Sequence, residues 1–464
     1  MARSLKPFFD PASVAIVGAS ERLTSSGGAV LRNMQIGGYR GQLIPVNPKA
    51  ETVLGLPAKR SLRELTPPAE LVVVVVAPPA IVDVVREGAE SGHKNFLILP
   101  GGFAEAGEEG RQRDRELRAL AAAHGLTIAG PNCAGIINLL DKGNACAPTF
   151  LRDLPKGGGV AFLSQSGAIA EELIEKSHRL GIPLGAVVSI GNAMHLHVDD
   201  YFGQLADDPR CSVVLIYLES VEDPERFKRE ARALAARKPL VALIGGRTEP
   251  GSRASRAHTG GSGWTEAQIE RFCEECGILR VTSLRQLMLA GKGFGRYPQG
   301  FGPRVLLLSN SGGPGVLATD AAAAAGLDLA PLPAALAARL KAFLPPEASV
   351  ANPLDLLADA REERFGKTFQ AVMEVAADAY DAVLMIHVVP FMVDAAPVIE
   401  RLASLSANAP LPLFHSMMGT LEAREAWFER MEQAGVPMFN DVEEMAWTAG
   451  ALARYPAIRE RLAS

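Results

Sequence analysis

The segment from residue 245 to residue 261 combines residue types that together could act on an anionic group. Three arginines, Arg247, Arg253 and Arg256, precede His258, with glycines on both sides. Guanidinium groups and glycine backbone N–H groups bind anions, and a neutral imidazole is a nucleophile toward a phosphoryl group. We predict a loop that approaches an anionic ligand and presents His258 as a phosphoryl acceptor. From the local residues alone, a surface loop with an exposed histidine stays open as an alternative.

Glu219 is the candidate partner of this histidine. It stands in the stretch Leu215-Ile216-Tyr217-Leu218-Glu219-Ser220, at the end of a predicted strand whose interior is apolar. A carboxylate at that strand end could accept a hydrogen bond from the second ring nitrogen of His258, fixing its tautomer and stabilising its charge. A solvated strand-end glutamate is the alternative interpretation.

Two further strand ends carry groups that suit phosphate or acyl ligands. Ser164, Ser166 and Gly167 form a turn between an apolar strand and a helical pattern. Free N–H groups and the helix dipole make such a helix start a phosphate site, although serine there also simply caps helices. Gly191 and Asn192 close the next strand, at the edge where doubly wound sheets bind ligands.

The first strand of the chain leads into a glycine turn at Gly18, Ala19 and Ser20, and a helical pattern follows. The turn is not a G-x-G-x-x-G motif, and Lys49 follows the second strand where dinucleotide enzymes keep an acidic residue. A phosphorylated ribose, as in coenzyme A or NADP, therefore fits this site better than NAD does.

The composition is that of a multidomain globular protein. With 464 residues, 48% hydrophobic and 21% charged, the chain is long enough for two to four domains of about 150 residues each. The net charge of −5 argues against nucleic acid and anionic membranes as partners. Met1–Phe9 lacks the apolar stretch of a signal peptide, and the longest apolar run, Leu71–Ala80, is too short to span a bilayer. We expect a cytoplasmic protein.

The cysteines and the remaining histidines predict no metal site. Five scattered cysteines imply no disulfide framework, and Cys273 and Cys276 fit one face of an amphipathic helix better than a zinc site. His195 and His197 favour a substrate-pocket or surface role over metal binding. His387 and His415 end apolar strands and could line an interface.

The chain alternates β-rich runs with helical patterns, which is typical of parallel doubly wound sheets. We divide it into three parts, residues 1–145, 146–297 and 298–464, with a glycine- and proline-rich linker at Gly291–Pro303. Strands are predicted at Ser13–Val17, Gln42–Val46, Leu71–Ala77, Asn95–Leu99, Leu126–Ala129, Gly159–Leu163, Gly185–Ser189, Val213–Tyr217, Leu240–Ile244, Ile278–Arg280, Arg304–Leu308, Ala382–His387 and Leu411–His415.

Arg247-Thr248 through Ser255 to His258-Thr259-Gly260 resembles the phosphohistidine loop of the NDP-forming acyl-CoA synthetases, the superfamily of succinyl-CoA synthetase. The companion motifs cover nearly the whole chain in the order of the family's alpha subunit. Ala257 departs from the serine that relatives often carry there. The resemblance implies an α/β fold, with a Rossmann-like CoA-binding domain (1–145), a flavodoxin-like domain with the phosphohistidine loop (146–297) and a second flavodoxin-like, ligase-type domain (298–464).

The same resemblance assigns residue roles. His258 would be phosphorylated and Glu219 would orient it. The family's glycine turn often carries a lysine that is absent here, and Cys133 could equally be a small buried apolar residue. The phosphate- and acyl-binding positions would be Ser164, Ser166, Gly167, Gly191 and Asn192, and the CoA-binding positions Gly18, Ala19, Ser20, Lys49, Pro78, Asn132 and Cys133.

The implied activity is the reversible synthesis of an acyl-CoA from a small carboxylic acid, CoA and ATP through phosphohistidine and acyl phosphate. The sequence contains no P-loop, and no part of it is left for an ATP-grasp module, so a separate ATP-grasp beta subunit would supply ATP/ADP and Mg²⁺. Two alternatives remain: a CoA-binding regulatory protein without catalysis, and a dehydrogenase.

Overall fold

In a computed structural model, the chain is described for residues 4–141, 143–259, 264–390 and 394–463, with side chains except those of 256–259 and 376–377. It divides into two compact units, Met1–Leu287 and Met288–Ser464. Within the described ranges, no helix is long and apolar enough to cross a membrane.

The first unit contains thirteen strands among its described residues, and its last helix runs across the division between the units. The helices are α1 Lys6–Phe9, α2 Ser26–Ile36, α3 Pro78–Glu90, α4 Gly107–His124, α5 Gly167–Leu180, α6 Phe202–Asp207, α7 Pro224–Ala235, α8 Glu249–Thr259, α9 Glu266–Cys276 and α10 Leu284–Arg296. The strands are β1 Ser13–Val17, β2 Gln42–Val46, β3 Thr52–Val53, β4 Leu56–Pro57, β5 Leu71–Val74, β6 Asn95–Ile98, β7 Thr127–Ala129, β8 Ile136–Asn138, β9 Val160–Ser164, β10 Leu184–Ser189, β11 Val213–Leu218, β12 Leu240–Ile244 and β13 Leu279–Val281.

The first sheet of this unit is parallel, in the order β2-β1-β5-β6-β7. Its central strand, β5, is apolar and buried throughout, because helices cover both faces of a doubly wound sheet. All five strands were predicted from their β-rich composition. Since the strands are parallel, their carboxyl ends meet at one edge of the sheet, which is where ligands bind in this architecture.

The second sheet has the order β13-β12-β11-β9-β10-β8. Its strands are parallel except β8, which pairs antiparallel with β10. Strand β8 was not predicted, and residues 136–138 were assigned to the first part of the chain, residues 1–145. The strand is only three residues long, too short to show a periodic pattern.

The second unit has one main sheet, in the order β15-β16-β14-β17-β18-β19. Its three long strands were predicted, whereas the two-residue strands at its edges were not. The helices are α11 Gly312–Ala324, α12 Ala334–Lys341, α13 Glu362–Ala379, α14 Ala396–Ser406, α15 Arg424–Gln433 and α16 Val442–Ala463. The strands are β14 Val305–Ser309, β15 Ser349–Val350, β16 Leu354–Asp355, β17 Ala382–Val389, β18 Leu413–Gly419 and β19 Met438–Phe439.

His387 and His415 lie inside β17 and β18 and not at an interface, which corrects the sequence-based expectation. Both are buried in the core, with ring centroids 6.1 Å apart in a stacked arrangement. The ring of Phe365 packs on His387 at 5.1 Å. These two strands run on for two and four residues beyond the predicted ends, which carries the imidazoles into the sheet.

The prediction of a loop at 245–261 is wrong for most of that segment, because α8 occupies Glu249–Thr259. Thr248 begins the helix: its Oγ1 accepts a hydrogen bond from the backbone nitrogen of Gly251 at 3.2 Å. Pro250 in the first turn costs no helical hydrogen bond. The arginines and alanines that follow are good helix formers, and the abundance of glycine at the two ends of the segment concealed this.

The predicted linker Gly291–Pro303 is also helical in its first part, since α10 extends to Arg296. Gly293 permits a close approach: a Cβ there would lie 2.7 Å from side-chain atoms of Thr448 and Leu452. The glycine therefore serves helix packing and not a flexible connection.

Candidate active site

A cavity of about 1390 Å³ opens in the first unit, where the carboxyl ends of the two sheets supply its walls. We call it the large cavity. It brings together residues that the sequence analysis selected separately, which are Asn132, Cys133, Ser166, Gly167, Gly191, Asn192 and Glu219. It does not include Gly18, Ala19, Ser20, Lys49, Pro78 or Ser164 among its lining residues.

The start of α5 forms one wall of the large cavity. Ser166 is the N-cap residue, and its Oγ accepts a hydrogen bond from the backbone nitrogen of Ile169 at 3.4 Å. Ser164 is fully buried, and its Oγ donates to the carbonyl of Ser166 at 2.7 Å. Ser164 thus holds the turn from behind, whereas Ser166 and Gly167 face the cavity. The free N–H groups of the first helical turn can bind an anion there.

Gln165 connects this turn to Glu219. Its Oε1 accepts hydrogen bonds from the backbone nitrogens of Glu219, at 2.6 Å, and of Ser220, at 3.1 Å, and its Nε2 donates to the carbonyl of Ser220 at 2.9 Å. The Glu219 carboxylate accepts a hydrogen bond from Tyr217 Oη at 3.1 Å. The strand-end carboxylate is therefore held at the cavity and is not a freely solvated side chain.

Helix α8 approaches the same place. Ser255 lies near the backbone of Glu219, with Oγ donating to its carbonyl at 3.4 Å. Glu219, Ser255 and Trp264 also line a narrow crevice beside the large cavity. His258 follows Ser255 by three residues in α8, so the two positions lie on neighbouring turns of one helix face. The His258 side chain itself is outside the described part of the structure.

Glu105, which was not predicted from the sequence, joins the two sheets at the cavity. Its carboxylate accepts hydrogen bonds from the backbone nitrogens of Gly102 and Phe103 and from Asn192 Nδ2 at 2.5 Å. The side-chain oxygen Oδ1 of Asn192 accepts in turn from Asn132 Nδ2 at 3.1 Å. Burial raises the pKa of Glu105, but these hydrogen bonds outweigh it and hold the pKa below its ordinary value. The feature of the sequence that could have indicated Glu105 is its position soon after β6, the fourth predicted strand of the chain.

Gly191 and Asn132 adopt left-handed backbone conformations at this contact, with φ of 64° and 58°. A Cβ on Gly191 would lie 2.3 Å from the carbonyl oxygen of Pro131 and 2.6 Å from that of Asn132. Only glycine therefore lets the two loops meet as they do.

The glycine turn after β1 forms a separate end of the site. Gly18 has φ of 94°, and Ser20 Oγ accepts a hydrogen bond from the backbone nitrogen of Arg22 at 3.1 Å. Asn47 Nδ2 donates to the carbonyl of the buried Ala19 at 2.9 Å, which ties the turn to the end of β2. Lys49 follows Asn47 and is exposed. Ser26, the first residue of α2, connects this end to the large cavity as one of its lining residues.

Pro78 begins α3 and does not continue a strand, and it packs against Gly102, where a Cβ would lie 2.7 Å from it. Cys133 lines the large cavity but is 4% exposed, with Sγ donating to the carbonyl of Ile98 at 3.4 Å. Burial raises the pKa of the Cys133 thiol to about 12, so it stays protonated at neutral pH. Its chemistry is that of a small buried apolar residue.

His195 and His197 have separate partners. His195 Nδ1 accepts a hydrogen bond from the backbone nitrogen of Ile128 at 3.3 Å, whereas His197 Nδ1 lies 3.1 Å from Glu222 Oε2. Only His197 lines a cavity among those described. In the described ranges, no group of three or more His, Cys, Asp or Glu side chains is arranged to hold a metal ion. Cys273 and Cys276 are both buried on the inner face of α9, as the amphipathic pattern predicts.

The large cavity has an acidic lining. The described residues that line it include Glu105, Glu171, Glu219 and Glu222 but neither lysine nor arginine. An anion bound there would depend on helix and backbone N–H groups, or on cations from elements beyond the described lining.

Three family models match successive parts of the chain. A CoA binding domain matches residues 12–138, a succinyl-CoA ligase like flavodoxin domain matches residues 157–294, and a ligase-CoA domain matches residues 305–458. The first two matches coincide with the two sheets whose carboxyl ends form the large cavity. The fold and site thus define an α/β CoA ligase, with a CoA-binding domain and a flavodoxin-like domain.

Curated relatives refine this class. The chain is 33% identical to the alpha subunit of the ADP-forming acetate–CoA ligase II of Pyrococcus furiosus, over 96% of both chains. It is also 33% identical to the ADP-forming acetate–CoA ligase I of Archaeoglobus fulgidus, covering 98% of this chain but 64% of that longer protein. Among solved structures, acetyl-coenzyme A synthetase 1 of Ca. Korarchaeum cryptofilum, in complex with phosphate and ADP, superimposes with a TM-score of 0.92 at 28% identity, over 99% of this chain and 98% of that one. The chain belongs to the ADP-forming acyl-CoA synthetase family and corresponds to its alpha subunit.

Proposed function

We propose that this chain carries the acyl-CoA-forming half of an ADP-forming acyl-CoA synthetase, with His258 as the phosphoryl carrier. The observation that carries the proposal is that Glu219 and the start of α5 line one cavity that also reaches the CoA-binding domain, while Ser255 of α8 hydrogen-bonds to the backbone of Glu219. The family membership supports the ligase activity over the regulatory and dehydrogenase alternatives.

In the first step, a His258 ring nitrogen attacks the terminal phosphorus of ATP, and the bond from that phosphorus to the bridging oxygen of ADP breaks. Glu219 accepts a hydrogen bond from the other ring nitrogen and stabilises the positive charge that develops. Gln165 and Tyr217 hold Glu219 in place for this role. The first turn of α5 offers N–H groups to the phosphoryl oxygens at Ser166 and Gly167.

In the second step, an oxygen of the substrate carboxylate attacks the phosphorus and displaces the imidazole, which gives an acyl phosphate. In the third, the CoA sulfur attacks the acyl carbon, the bond from that carbon to the phosphate oxygen breaks, and the thiol proton is carried away by the departing inorganic phosphate. Each step is reversible. Splitting the overall transfer into these steps lets the histidine carry the phosphoryl group between sites that cannot meet at once.

We propose that CoA enters from the glycine turn at Gly18, Ala19 and Ser20, with Lys49 near its ribose phosphate. The large cavity supports this route, because Ser26 at the start of α2 and Asn132 and Cys133 near the phosphate end line the same space. The thiol end would then reach Gly191 and Asn192, beside Ser166.

We also propose that a beta-type partner with an ATP-grasp fold binds ATP and Mg²⁺. Relatives of matching length are named alpha subunits, whereas single-chain relatives are longer than this chain. The three-domain division at 1–145, 146–297 and 298–464, the hetero-oligomeric state and the cytoplasmic location remain predictions.

A labelling experiment tests the proposal. Incubation of the chain with its partner, Mg²⁺ and ATP labelled in the terminal phosphate should give an acid-labile, base-stable label on the chain. His258→Ala should abolish the label, while His195→Ala, which removes a ring that accepts a hydrogen bond from the backbone nitrogen of Ile128, should retain it. A label that persists in His258→Ala would contradict the assignment of His258 as the phosphorylated residue.

A further inference from the structure

A smaller cavity of about 230 Å³ lies beside the large cavity, and we call it the side pocket. The two cavities share Gln165, Ala193, His197 and residues 220–222 as lining residues. Because Gln165 also binds the backbone of Glu219, the side pocket begins next to the carboxylate that would serve the phosphoryl transfer.

We propose that the side pocket binds the substituent of the carboxylic acid substrate and selects acids whose far end is uncharged over dicarboxylic acids. The inference rests on the proposed function, because it assumes that the acyl phosphate forms in the large cavity. CoA would approach from the CoA-binding domain, so the substituent must extend the other way, toward residues 220–227.

The size of the side pocket limits the substituent. Its volume lies below the range of about 300–1,000 Å³ that is usual for drug-sized ligands. Val198, Val221 and Phe227 supply apolar surface. A chain of a few carbon atoms suits this space better than a large polar group does.

The charges of the side pocket disfavour a second carboxylate. Asp199, Glu222 and Asp223 all line it. Arg226, the one lysine or arginine among the described lining residues, is already bound: its Nε lies 2.6 Å from Asp199 Oδ2, and its NH2 lies 3.2 Å from Asp200 Oδ2. A second carboxylate would therefore meet net negative charge without an uncommitted cation.

The pair of His197 and Glu222 could instead recognise a hydrogen-bond donor. Glu222 is mostly exposed, and one of its carboxylate oxygens lies 3.1 Å from His197 Nδ1. A carboxylate has about four lone-pair sites, so this contact leaves acceptor capacity for a substrate hydroxyl. A hydroxyl at the end of a short chain is thus compatible with the pocket, whereas a carboxylate there is repelled.

Three four-carbon acids test the selectivity in the chain assembled with its ATP-binding partner. We expect kcat/KM for butanoate and for 4-hydroxybutanoate to exceed that for succinate by at least tenfold. Equal use of succinate and butanoate would overturn the inference while leaving the proposed function intact. If no acid of a broad panel, acetate included, gave an ATP- and CoA-dependent thioester, the proposed function itself would fail.

Two variants test the location. Glu222→Gln should raise kcat/KM for succinate relative to butanoate by about tenfold, because it removes one charge. Glu225→Gln is the matched control, since Glu225 lies three residues along the chain, is exposed, pairs with Lys228 and does not line the pocket. Val221→Phe should fill the pocket and lower kcat/KM for butanoate at least tenfold more than for acetate. An unchanged succinate ratio in Glu222→Gln, or an equal loss for both acids in Val221→Phe, would contradict the assignment.

Discussion

The side-chain oxygen of Gln165 accepts a hydrogen bond from the backbone nitrogen of Glu219 at 2.6 Å. This contact joins the turn before α5, where phosphate would bind, to the end of β11, where the carboxylate stands. The hydrogen bond thus fixes the position of one group relative to the other.

Glu219→Gln should slow formation of phosphohistidine by more than tenfold, a loss above about 1.4 kcal/mol of transition-state stabilisation, because the amide carries no charge to balance the imidazolium. Rapid-quench measurement of the labelled chain provides the rate, and CoA affinity should stay unchanged. Gln165→Ala should slow the same step through loss of positioning, and Gln165→Glu should not restore it. Wild-type rates in Glu219→Gln would show that the carboxylate is ordinary surface.

Replacing Glu105 should affect the CoA-dependent steps more than the phosphorylation of His258. Glu105→Ala removes the acceptor for Asn192 and for two backbone nitrogens of the 102–103 turn. We expect KM for CoA to rise about tenfold, with the rate of phosphohistidine formation unchanged. Glu109→Ala is a suitable control, because its exposed carboxylate makes only a 3.9 Å ion pair with Arg113. An equal loss in both steps would indicate general damage instead.

Lys49→Ala should weaken binding of CoA to the isolated chain, and the loss should shrink as salt rises, because an exposed charge contact is screened. Isothermal titration with CoA and with dephospho-CoA separates the phosphate contribution. The variant should bind the two ligands alike, whereas the wild type should prefer CoA. Lys59→Ala provides a control at another exposed lysine of the same domain. If the chain bound NADH and did not bind CoA, the result would favour the dehydrogenase alternative over the ligase function.

The stacked histidines His387 and His415 predict that the folded second unit loses stability in acid. Burial lowers the pKa of His387 to about 4, and burial together with the neighbouring His387 lowers the pKa of His415 to about 3. In the unfolded chain both titrate near 6.5, so the unfolded state binds more protons below that pH and the folded state loses stability. The loss should begin as pH falls through 6.5 and continue to about 4 for His387 and about 3 for His415, at up to about 1.4 kcal/mol per pH unit for each histidine.

Denaturant unfolding followed between pH 7.5 and pH 5 checks this expectation. The double replacement of His387 and His415 by phenylalanine should flatten the acid side of the stability profile of the second unit. His178→Gln, at the end of α5, should leave that profile as it is. An unchanged pH dependence in the double variant would contradict the assignment of acid sensitivity to this pair.

Some of the fold was predictable because apolar runs bounded by glycine, proline and polar turns predict buried strands. Ser13–Val17, Gln42–Val46 and Leu240–Ile244 were predicted to the residue. The strand β8 and the helix α8 were not. A three-residue antiparallel strand exists only because β10 offers it an edge, and α8 is concealed in a segment whose composition alone is typical of loops.

The residue types of the site were also readable in the sequence, because strand ends in a doubly wound sheet are where ligands bind. That principle selected Glu219, Gly191 and Asn192 without any knowledge of their contacts. The tertiary structure decided which of the candidates share a cavity. Ser164 lies behind the turn that precedes α5 and does not face the cavity. The Cys133 thiol is buried, and His387 and His415 lie in the core of the second unit.

Only the tertiary structure could decide the roles of Glu105 and Gln165. Their partners lie 87 and 54 residues away in the chain, in Asn192 and Glu219. A sequence specifies which groups each strand end presents, because side-chain chemistry and hydrophobic periodicity are local properties. Which strand ends face each other depends on how two sheets pack, and that packing is set by many weak contacts spread over the whole unit.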